Sequence, residues 1–211
     1  TVAHAGTIAG FAQAVTYSIS DVPNNALAAV TDAYNEAVDI TISGNVTYVK
    51  AKAIDDASNS GTSTYTINDT SAAITAGIST KVAAINGATT VTANTNATFA
   101  EALTIGNIAK AISYSISDTQ TNIPGSTNVA INEAINITVT DDVTFAQAKI
   151  IDDGSNSGSN TYDVSDTAIN LSNGTVTSVN ALNGAGTVTA SSIANATEAA
   201  KLAAISQAVS Y

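Results

Sequence analysis

The chain has no cysteine, no methionine and no tryptophan, and aromatic residues make up only 5% of its 211 residues. The absence of cysteine excludes disulfide bonds and thiolate chemistry, so cysteine usage indicates no redox compartment. All six basic residues are lysine, whereas 17 residues are acidic, and the formal net charge is −11. A surface of that sign repels phosphate backbones, which disfavours nucleic-acid binding. Apolar runs fall well short of the roughly 20 residues that span a bilayer, so we expect no membrane insertion.

A tyrosine-led pentapeptide returns at a nearly constant interval along the chain. Its four copies are Tyr17–Asp21 (YSISD), Tyr65–Asp69 (YTIND), Tyr114–Asp118 (YSISD) and Tyr162–Asp166 (YDVSD), and Tyr211 stands where a fifth would begin. Successive copies lie 48 or 49 residues apart, an interval typical of stacked repeat architectures. We therefore predict a single continuous repeat array over residues 1–211.

A longer repeat of 97 residues is superimposed on this interval. Residues 1–17 are similar to residues 98–114 and again to residues 195–211. The array is therefore predicted to contain two 97-residue double units, 1–97 and 98–194, and a partial third unit, 195–211.

Each pentapeptide alternates apolar and small polar residues, as a half-buried strand does. In the first copy, Tyr17 and Ile19 are expected to face the core, and Ser18 and Ser20 to face outward. A second type of alternating segment lies midway between the pentapeptides. Its members are residues 38–43, 90–92, 135–140 and 187–189. Together the two types predict parallel strands about every 24 residues, nine in all with the one at Tyr211.

The segments between these strands have helical apolar spacing. Examples are Leu27, Val30, Ala33, Tyr34 and Ala37, and Ile74, Ile78, Val82 and Ile85. Since helical crossovers join parallel strands, the predicted fold is an α/β repeat solenoid built from double coils of 48 to 49 residues. Serine, threonine and asparagine are frequent in these segments and form helices poorly, so an all-β solenoid is the alternative.

Two aspartate-rich loops lie at the 97-residue offset and are the first candidate site. Their candidate metal ligands are Asp56, Ser58 and Ser60, and Asp153, Ser155 and Ser157. This spacing begins an EF-hand loop, in which oxygens at positions 1, 3 and 5 bind Ca²⁺ and a glycine follows. The acidic residue at position 12 is replaced by Ile67 and Val164. The loops are therefore interpreted either as Ca²⁺ sites or as solvated turns.

A row of aspartates after the strands is the second candidate. Its members are Asp21, Asp69, Asp118, Asp141, Asp142 and Asp166. Stacking would bring them to one edge, where they could share divalent cations, but capping of the following helices explains most of them.

The outward face of the strands is the third candidate. It carries Ser18, Ser20, Thr41, Ser43, Thr66, Asn68, Thr90, Thr92, Ser115, Ser117, Thr138, Thr140, Ser165, Thr187 and Thr189. Parallel stacking would place these side chains in ladders about 4.8 Å apart, which resemble those of ice-binding solenoids. Serine in every second rung interrupts the regular lattice of methyl and hydroxyl groups that ice-binding solenoids present. We therefore expect a plain hydroxyl-lined face or a face that packs against another protein.

Catalytic machinery is not indicated, and we expect no enzyme. The one histidine, His4, has Glu101 and Glu198 at the equivalent repeat positions, which places it on a solvated helix face. The carboxylates recur with the repeat, whereas an active site concentrates its groups in one place.

Four motifs carry a family resemblance: YSISDT at 114–119, AINITVT at 134–140, TFAQAKIIDD at 144–153 and SNSGSNTY at 155–162. They resemble the repeats of very large bacterial surface proteins, of the kind found in cyanobacteria and other aquatic Gram-negative bacteria as adhesins, surface layers or matrix. The resemblance implies a secreted or cell-surface, calcium-assisted structural role and transfers no catalytic residues. The G-G-x-G-x-D nonapeptides of RTX β-rolls are absent from the sequence.

The repeat pattern is interrupted at both Thr1 and Tyr211, and no polar capping repeat is visible. Open coil faces are expected to associate head to tail, which predicts an adhesin module or a subunit of a filament or surface layer. The alternative is a surface-binding module that holds a glycan, ice or a mineral.

Overall fold

The computed structural model describes residues 1–11 and 13–210. These residues form two compact units. The first unit comprises Thr1–Thr95 and Asn107–Ser113, and the second comprises Asn96–Gly106 and the described residues from Tyr114 onward.

The first unit contains one four-stranded sheet, ordered β1-β2-β3-β4, in which every pairing is parallel. The strands are β1 (Ile19–Asp21), β2 (Ile40–Val46), β3 (Ser63–Asp69) and β4 (Val91–Ala93). The helices are α1 (Val2–Ile8), α2 (Asp32–Asn35), α3 (Tyr48–Asp55) and α4 (Ser71–Gly87), and a 3₁₀ turn covers Pro23–Asn25.

The second unit contains two three-stranded parallel sheets, ordered β5-β6-β7 and β10-β9-β8. The strands are β5 (Ile116–Asp118), β6 (Ile137–Val139), β7 (Asn160–Thr161), β8 (Val164–Asp166), β9 (Val188–Ala190) and β10 (Val209–Ser210). The helices are α5 (Phe99–Gly106), α6 (Val129–Glu133), α7 (Phe145–Asp152), α8 (Ala168–Thr177), α9 (Val179–Asn183) and α10 (Ala196–Leu202), with a 3₁₀ turn at Gln120–Asn122.

The predicted α/β class with parallel strands and helical crossovers is confirmed, and the all-β alternative is wrong. Paired residues on neighbouring strands lie 21 to 24 residues apart in the chain, close to the predicted strand interval. Strands β7 and β10 were not among the predicted segments, and Tyr211 lies outside the described residues.

The predicted alternation of the pentapeptides is confirmed. Ile19, Ile67 and Ile116 are at most 1% exposed, whereas Ser18 and Ser20 are exposed. The core therefore lies on the tyrosine and isoleucine face of each strand, where the helices cover it.

The crossovers contain less helix than the apolar spacing predicts. A helix from Leu27 to Ala37 is wrong, because α2 covers only Asp32–Asn35. The buried Tyr34 hydroxyl accepts a hydrogen bond from the backbone N–H of Leu27 at 2.8 Å, and this bond holds the preceding stretch as a loop.

Helix α4 has a break at Lys81 (φ −154°, ψ 83°), and Ser178, 97 residues later, separates α8 from α9 with nearly the same angles (φ −162°, ψ 71°). In both places a threonine hydroxyl bonds the carbonyl four residues back, just before the break. Thr80 bonds Ala76 at 2.9 Å and Thr177 bonds Asn173 at 3.2 Å. Such back-bonding competes with the helix ladder and bends helices.

No helix among residues 1–11 and 13–210 combines the length and the apolar character needed to cross a membrane.

Candidate functional site

The aspartate that ends each pentapeptide points toward the core. Because side chains alternate along a strand, the residue four places after the tyrosine shares its face. Asp21 and Asp118 are accordingly buried, 8% and 9% exposed, beneath the helices that cover the sheet.

In all four pentapeptides the carboxylate of the final aspartate accepts the backbone N–H of the first residue of a helix that precedes it in the chain. The bonds run from Val2 to Asp21 (2.7 Å), Tyr48 to Asp69 (2.9 Å), Phe99 to Asp118 (2.9 Å) and Phe145 to Asp166 (3.0 Å). The other oxygen of each carboxylate accepts the backbone N–H of the residue that follows the aspartate, at 2.7 to 2.9 Å in all four cases. We call these four groups the aspartate clamps.

The prediction that these aspartates cap the helix that follows them is wrong. Thr70 and Thr167 perform that role, because their hydroxyls accept from the N–H groups of Ala73 and Asn170. The aspartates instead satisfy an N–H left free at the start of an earlier helix, which ties neighbouring strand and helix segments together. The period-two spacing of tyrosine, isoleucine and aspartate is the signal that could have revealed this.

Hydrogen bonds lower the pKa of two of the clamp carboxylates, Asp21 and Asp118. The pKa of Asp21 lies below its ordinary value because of bonds from the Asn25 amide and from the backbone N–H groups of Val2 and Val22. Burial acts to raise the pKa of Asp118. The bonds from Asn122, Phe99 and Thr119 outweigh that effect, so this pKa is also lowered.

The tyrosine that begins each pentapeptide bonds a segment later in the chain, whereas the aspartate bonds an earlier one. Its hydroxyl donates to a carbonyl of the segment that follows: Tyr17 to Ala33 (3.1 Å), Tyr65 to Ala84 (2.9 Å), Tyr114 to Ala130 (3.1 Å) and Tyr162 to Ala181 (2.9 Å). Burial raises the pKa of Tyr114 to about 12 and raises the pKa values of the other three as well. The four phenols therefore remain protonated donors at neutral pH.

In the first aspartate-rich loop the acidic side chains are paired with lysine. Asp56 forms ion pairs with Lys52 and Lys81, and Asp55 lies 3.0 Å from Lys81. The hydrogen bonds from Lys52 and Lys81 hold the pKa of Asp56 below its ordinary value. A cation at Asp56 would therefore have to compete with two ammonium groups.

The second loop has the same backbone course but fewer positive charges. Asp153 pairs with Lys149, and the position equivalent to Lys81 is Ser178. Burial raises the pKa of Asp152, and the charge of Asp153 beside it raises it further. The two loops therefore differ in charge balance although their sequences are nearly the same.

The backbone N–H groups of the serines in both loops bond residues 23 positions earlier in the chain. The N–H groups of Ser58 and Ser155 donate to the side-chain oxygens of Asn35 and Asn132, both at 3.1 Å. The N–H groups of Ser60 and Ser157 donate to Ala37 and Ala134, both at 3.2 Å. Within the described ranges no three His, Cys, Asp or Glu side chains are grouped closely enough to hold a metal, so Ca²⁺ binding stays a prediction.

The glycine that follows each loop has a different role from the EF-hand glycine. A Cβ added at Gly61 would lie 2.7 Å from the carbonyl oxygen of Val38, and one at Gly158 would lie 2.5 Å from that of Ile135. Glycine is required at these positions because the loop passes directly against the preceding strand segment.

The remaining aspartates of the predicted row lie after β6. Asp141 accepts the backbone N–H of Gln120 at 2.6 Å, and Asp142 is exposed. The row therefore divides into four buried or half-buried clamps and two residues at the surface.

The polar strand face is ordered within each sheet. Its rungs are Ser20–Thr41–Thr64 and Asn68–Thr92 in the first unit, and Ser117–Thr138–Thr161 and Ser165–Thr189–Ser210 in the second. Thr66 pairs with Asn45, because a bulge in β2 shifts the register and Gly44 adopts φ +112° there. Thr64, Thr161 and Ser210 are rungs that the sequence interpretation missed.

No family model, curated protein or solved structure matches this chain.

Proposed function

We propose that the protein is an extracellular structural protein, secreted or at the cell surface, that serves as the repeat module of an adhesin or as the subunit of a filament or surface layer. The observation that carries the proposal is the fourfold recurrence of the tyrosine and aspartate bonds with nearly the same geometry. A catalytic site would instead depart from the repeat at one place.

The sheet topology supports a repeat solenoid as the underlying architecture. Strands that are consecutive in the chain are neighbours in each sheet and pair in parallel, as stacked coils do. In such a stack the polar ladders, the clamps and the covering helices each repeat at a constant distance. Length can then be added without redesign of the core, which suits a structural role.

Self-association is the partner interaction that we propose, with neither nucleic acid nor membrane as a partner. Phe11 and Val15 are 61% and 42% exposed. Large exposed apolar side chains favour contact with another protein surface.

Electron microscopy and sedimentation of the purified chain test the proposal. Filaments or sheets that grow with protein concentration are expected, in the presence and absence of Ca²⁺. Monodisperse particles of one chain at millimolar concentration would contradict it.

The second candidate is a module that binds a glycan, ice or a mineral. The exposed hydroxyl rungs, such as Ser20 and Thr189, are the observation that favours it. Saturable adsorption to one of these surfaces by monomeric protein would support this candidate over the first.

A further inference from the structure

A cleft of about 440 Å³ lies in the first unit between helix α1, with the two residues after it, and residues 27–33. The lining residues on the helix side are all small or apolar: Val2, Ala3, Gly6, Ala9 and Gly10. With about 3.6 residues per turn, Gly6 lies at the centre of this face. A Cβ added at Gly6 would meet nothing within 4 Å, so the space over it is open. The volume of the cleft is within the range of small-molecule sites, roughly 300–1,000 Å³.

Hydrogen bonds hold both walls of the cleft in place. On the helix side, the backbone N–H of Val2 donates to the Asp21 carboxylate at 2.7 Å. On the opposite side, the backbone N–H of Leu27 donates to the Tyr34 hydroxyl at 2.8 Å. A cleft whose walls are already ordered loses little conformational freedom when a ligand binds, which favours affinity.

The second unit has a groove at the equivalent place, but its volume is only about 300 Å³. Three pairs of equivalent residues differ between the two units: Val2 and Phe99, Gly6 and Leu103, and Asp32 and Val129. A Cβ added at Gly106 would lie 3.0 Å from a methyl group of Val129, so an apolar contact closes this side of the second groove. The cleft of the first unit has smaller helix residues instead, and a carboxylate in place of valine.

Asp32 gives the cleft of the first unit a negatively charged rim. Its side chain lines the cleft and is exposed, and no lysine or histidine is among the described residues that line it. Burial raises the pKa of Tyr17, and the charges of Glu36 and Asp32 raise it further, so both carboxylates act on this region. An apolar cleft with a negative rim attracts cations and repels anions.

We propose that this cleft binds an organic ammonium ion, a small molecule with an apolar body and one positively charged amine. The body packs between the Gly6 face of α1 and Leu27, and the amine pairs with Asp32. An anion would be repelled by Asp32, and an uncharged molecule would gain nothing from it. Because Val129 replaces the carboxylate in the second unit, the site belongs to the first unit alone and departs from the repeat.

Titration of the isotope-labelled protein, followed by nuclear magnetic resonance, tests the proposal. The probes are benzylammonium and butylammonium, with benzyl alcohol as the uncharged and benzoate as the anionic comparison. Benzylammonium is expected to shift the amide signals of Gly6 and Gly10 saturably, and to bind about two- to fivefold more tightly than benzyl alcohol, as an exposed ion pair allows. Benzoate should bind most weakly. Equilibrium dialysis with the same probes measures these affinities if the chain assembles.

Filling the cleft should abolish the site without loss of the fold. Gly6→Leu introduces the side chain found in the second unit, into open space and on a helix that leucine favours over glycine. It is expected to weaken benzylammonium binding by about tenfold or more. Gly125→Leu is the matched control, because it adds the same side chain in open space in the second unit, and it should bind as the unmodified protein does.

Replacing the carboxylate tests the recognition of charge. Asp32→Val introduces the residue of the second unit and is expected to weaken benzylammonium binding by about two- to fivefold and to remove its dependence on salt. The affinity for benzyl alcohol should not change. Equal affinities of Asp32→Val and the unmodified protein for benzylammonium would overturn the assignment of an ammonium ligand.

Other outcomes would overturn the site itself. These are the absence of saturable binding by both ammonium probes, and equal binding by Gly6→Leu and the unmodified protein. Altered sedimentation of Gly6→Leu with unchanged binding of benzylammonium would identify the cleft as a contact between copies of the chain instead. All of these measurements can be read whether or not the protein forms filaments, so they are independent of the function proposed above.

Discussion

Removal of one aspartate clamp should measurably destabilise the protein. Asp118→Ala deletes the acceptor of the buried Phe99 N–H, which lies 2.9 Å from the carboxylate, and also the acceptor of the Thr119 N–H and the Asn122 amide. The latter two groups are close to solvent, so water can replace the carboxylate there. Phe99 is 4% exposed, so its N–H is left without a partner.

The expected loss follows from these contacts. A buried N–H without a partner costs about 1–3 kcal/mol, and loss of an acceptor at a helix start costs about 1 kcal/mol. We expect Asp118→Ala to lower the free energy of unfolding by about 2–4 kcal/mol. Since about 1 kcal/mol shifts the Tm of a chain of this size by roughly 2–4 °C, the Tm should fall by roughly 5–15 °C.

Urea denaturation followed by circular dichroism measures this loss, and hydrogen exchange of the Phe99 amide locates it. Asp142→Ala is the matched control, because it removes the same charge from an exposed position. The control should change stability by at most about 0.5 kcal/mol. If the two variants are equally stable, or if the Phe99 amide exchanges as slowly in Asp118→Ala as in the unmodified protein, the clamp has no stabilising role.

The same clamp predicts a dependence on pH. The pKa of Asp118 is lowered in the folded protein, so its contribution is complete above the unfolded pKa of about 3.9 and is lost as the pH falls through the folded pKa. The stability difference between the unmodified protein and Asp118→Ala should therefore be constant near pH 7 and shrink below pH 4. A difference that persists unchanged at pH 2 would contradict the role of the ionised carboxylate.

Three further predictions concern other parts of the chain. A Cβ at Gly174 would lie 2.6 Å from the Phe145 ring, so Gly174→Ala should cost about 1–3 kcal/mol in urea denaturation, whereas Gly125→Ala, in open space, should be tolerated. The phenol of Tyr114, with a pKa of about 12, should stay un-ionised at pH 10.5 in ultraviolet titration, and stability should fall between about pH 10 and pH 12. If the second aspartate-rich loop binds Ca²⁺, chelator should lower the Tm of the unmodified protein by more than that of Asp153→Ala; equal shifts would exclude this loop.

The strands could be predicted from the sequence because a half-buried strand has a period of two that few other structures share. Ile19, Ile67 and Ile116 mark that period, and all three are buried at strand positions. The parallel pairing followed from the length of the crossovers, since a parallel neighbour cannot be reached by a short turn.

The crossovers were harder to predict because apolar spacing alone does not fix a helix. Leu27 and Val30 have helical spacing with Tyr34, but the Tyr34 hydroxyl bonds the Leu27 N–H and stabilises a loop. Such a bond depends on tertiary position, which the local sequence does not report. The clamp partners were missed for the same reason, since Asp118 and Phe99 are 19 residues apart.

The two ends of each pentapeptide explain why it recurs with so little change. The tyrosine bonds a carbonyl 16 or 19 residues later in the chain, and the aspartate bonds an N–H 19 or 21 residues earlier. Five residues thus tie one strand to the segments on both sides of it. A substitution at either end would break a bond to a different neighbour, so neither end can vary independently of the fold. Both ends of the pentapeptide are therefore constrained by the hydrogen bonds of the fold.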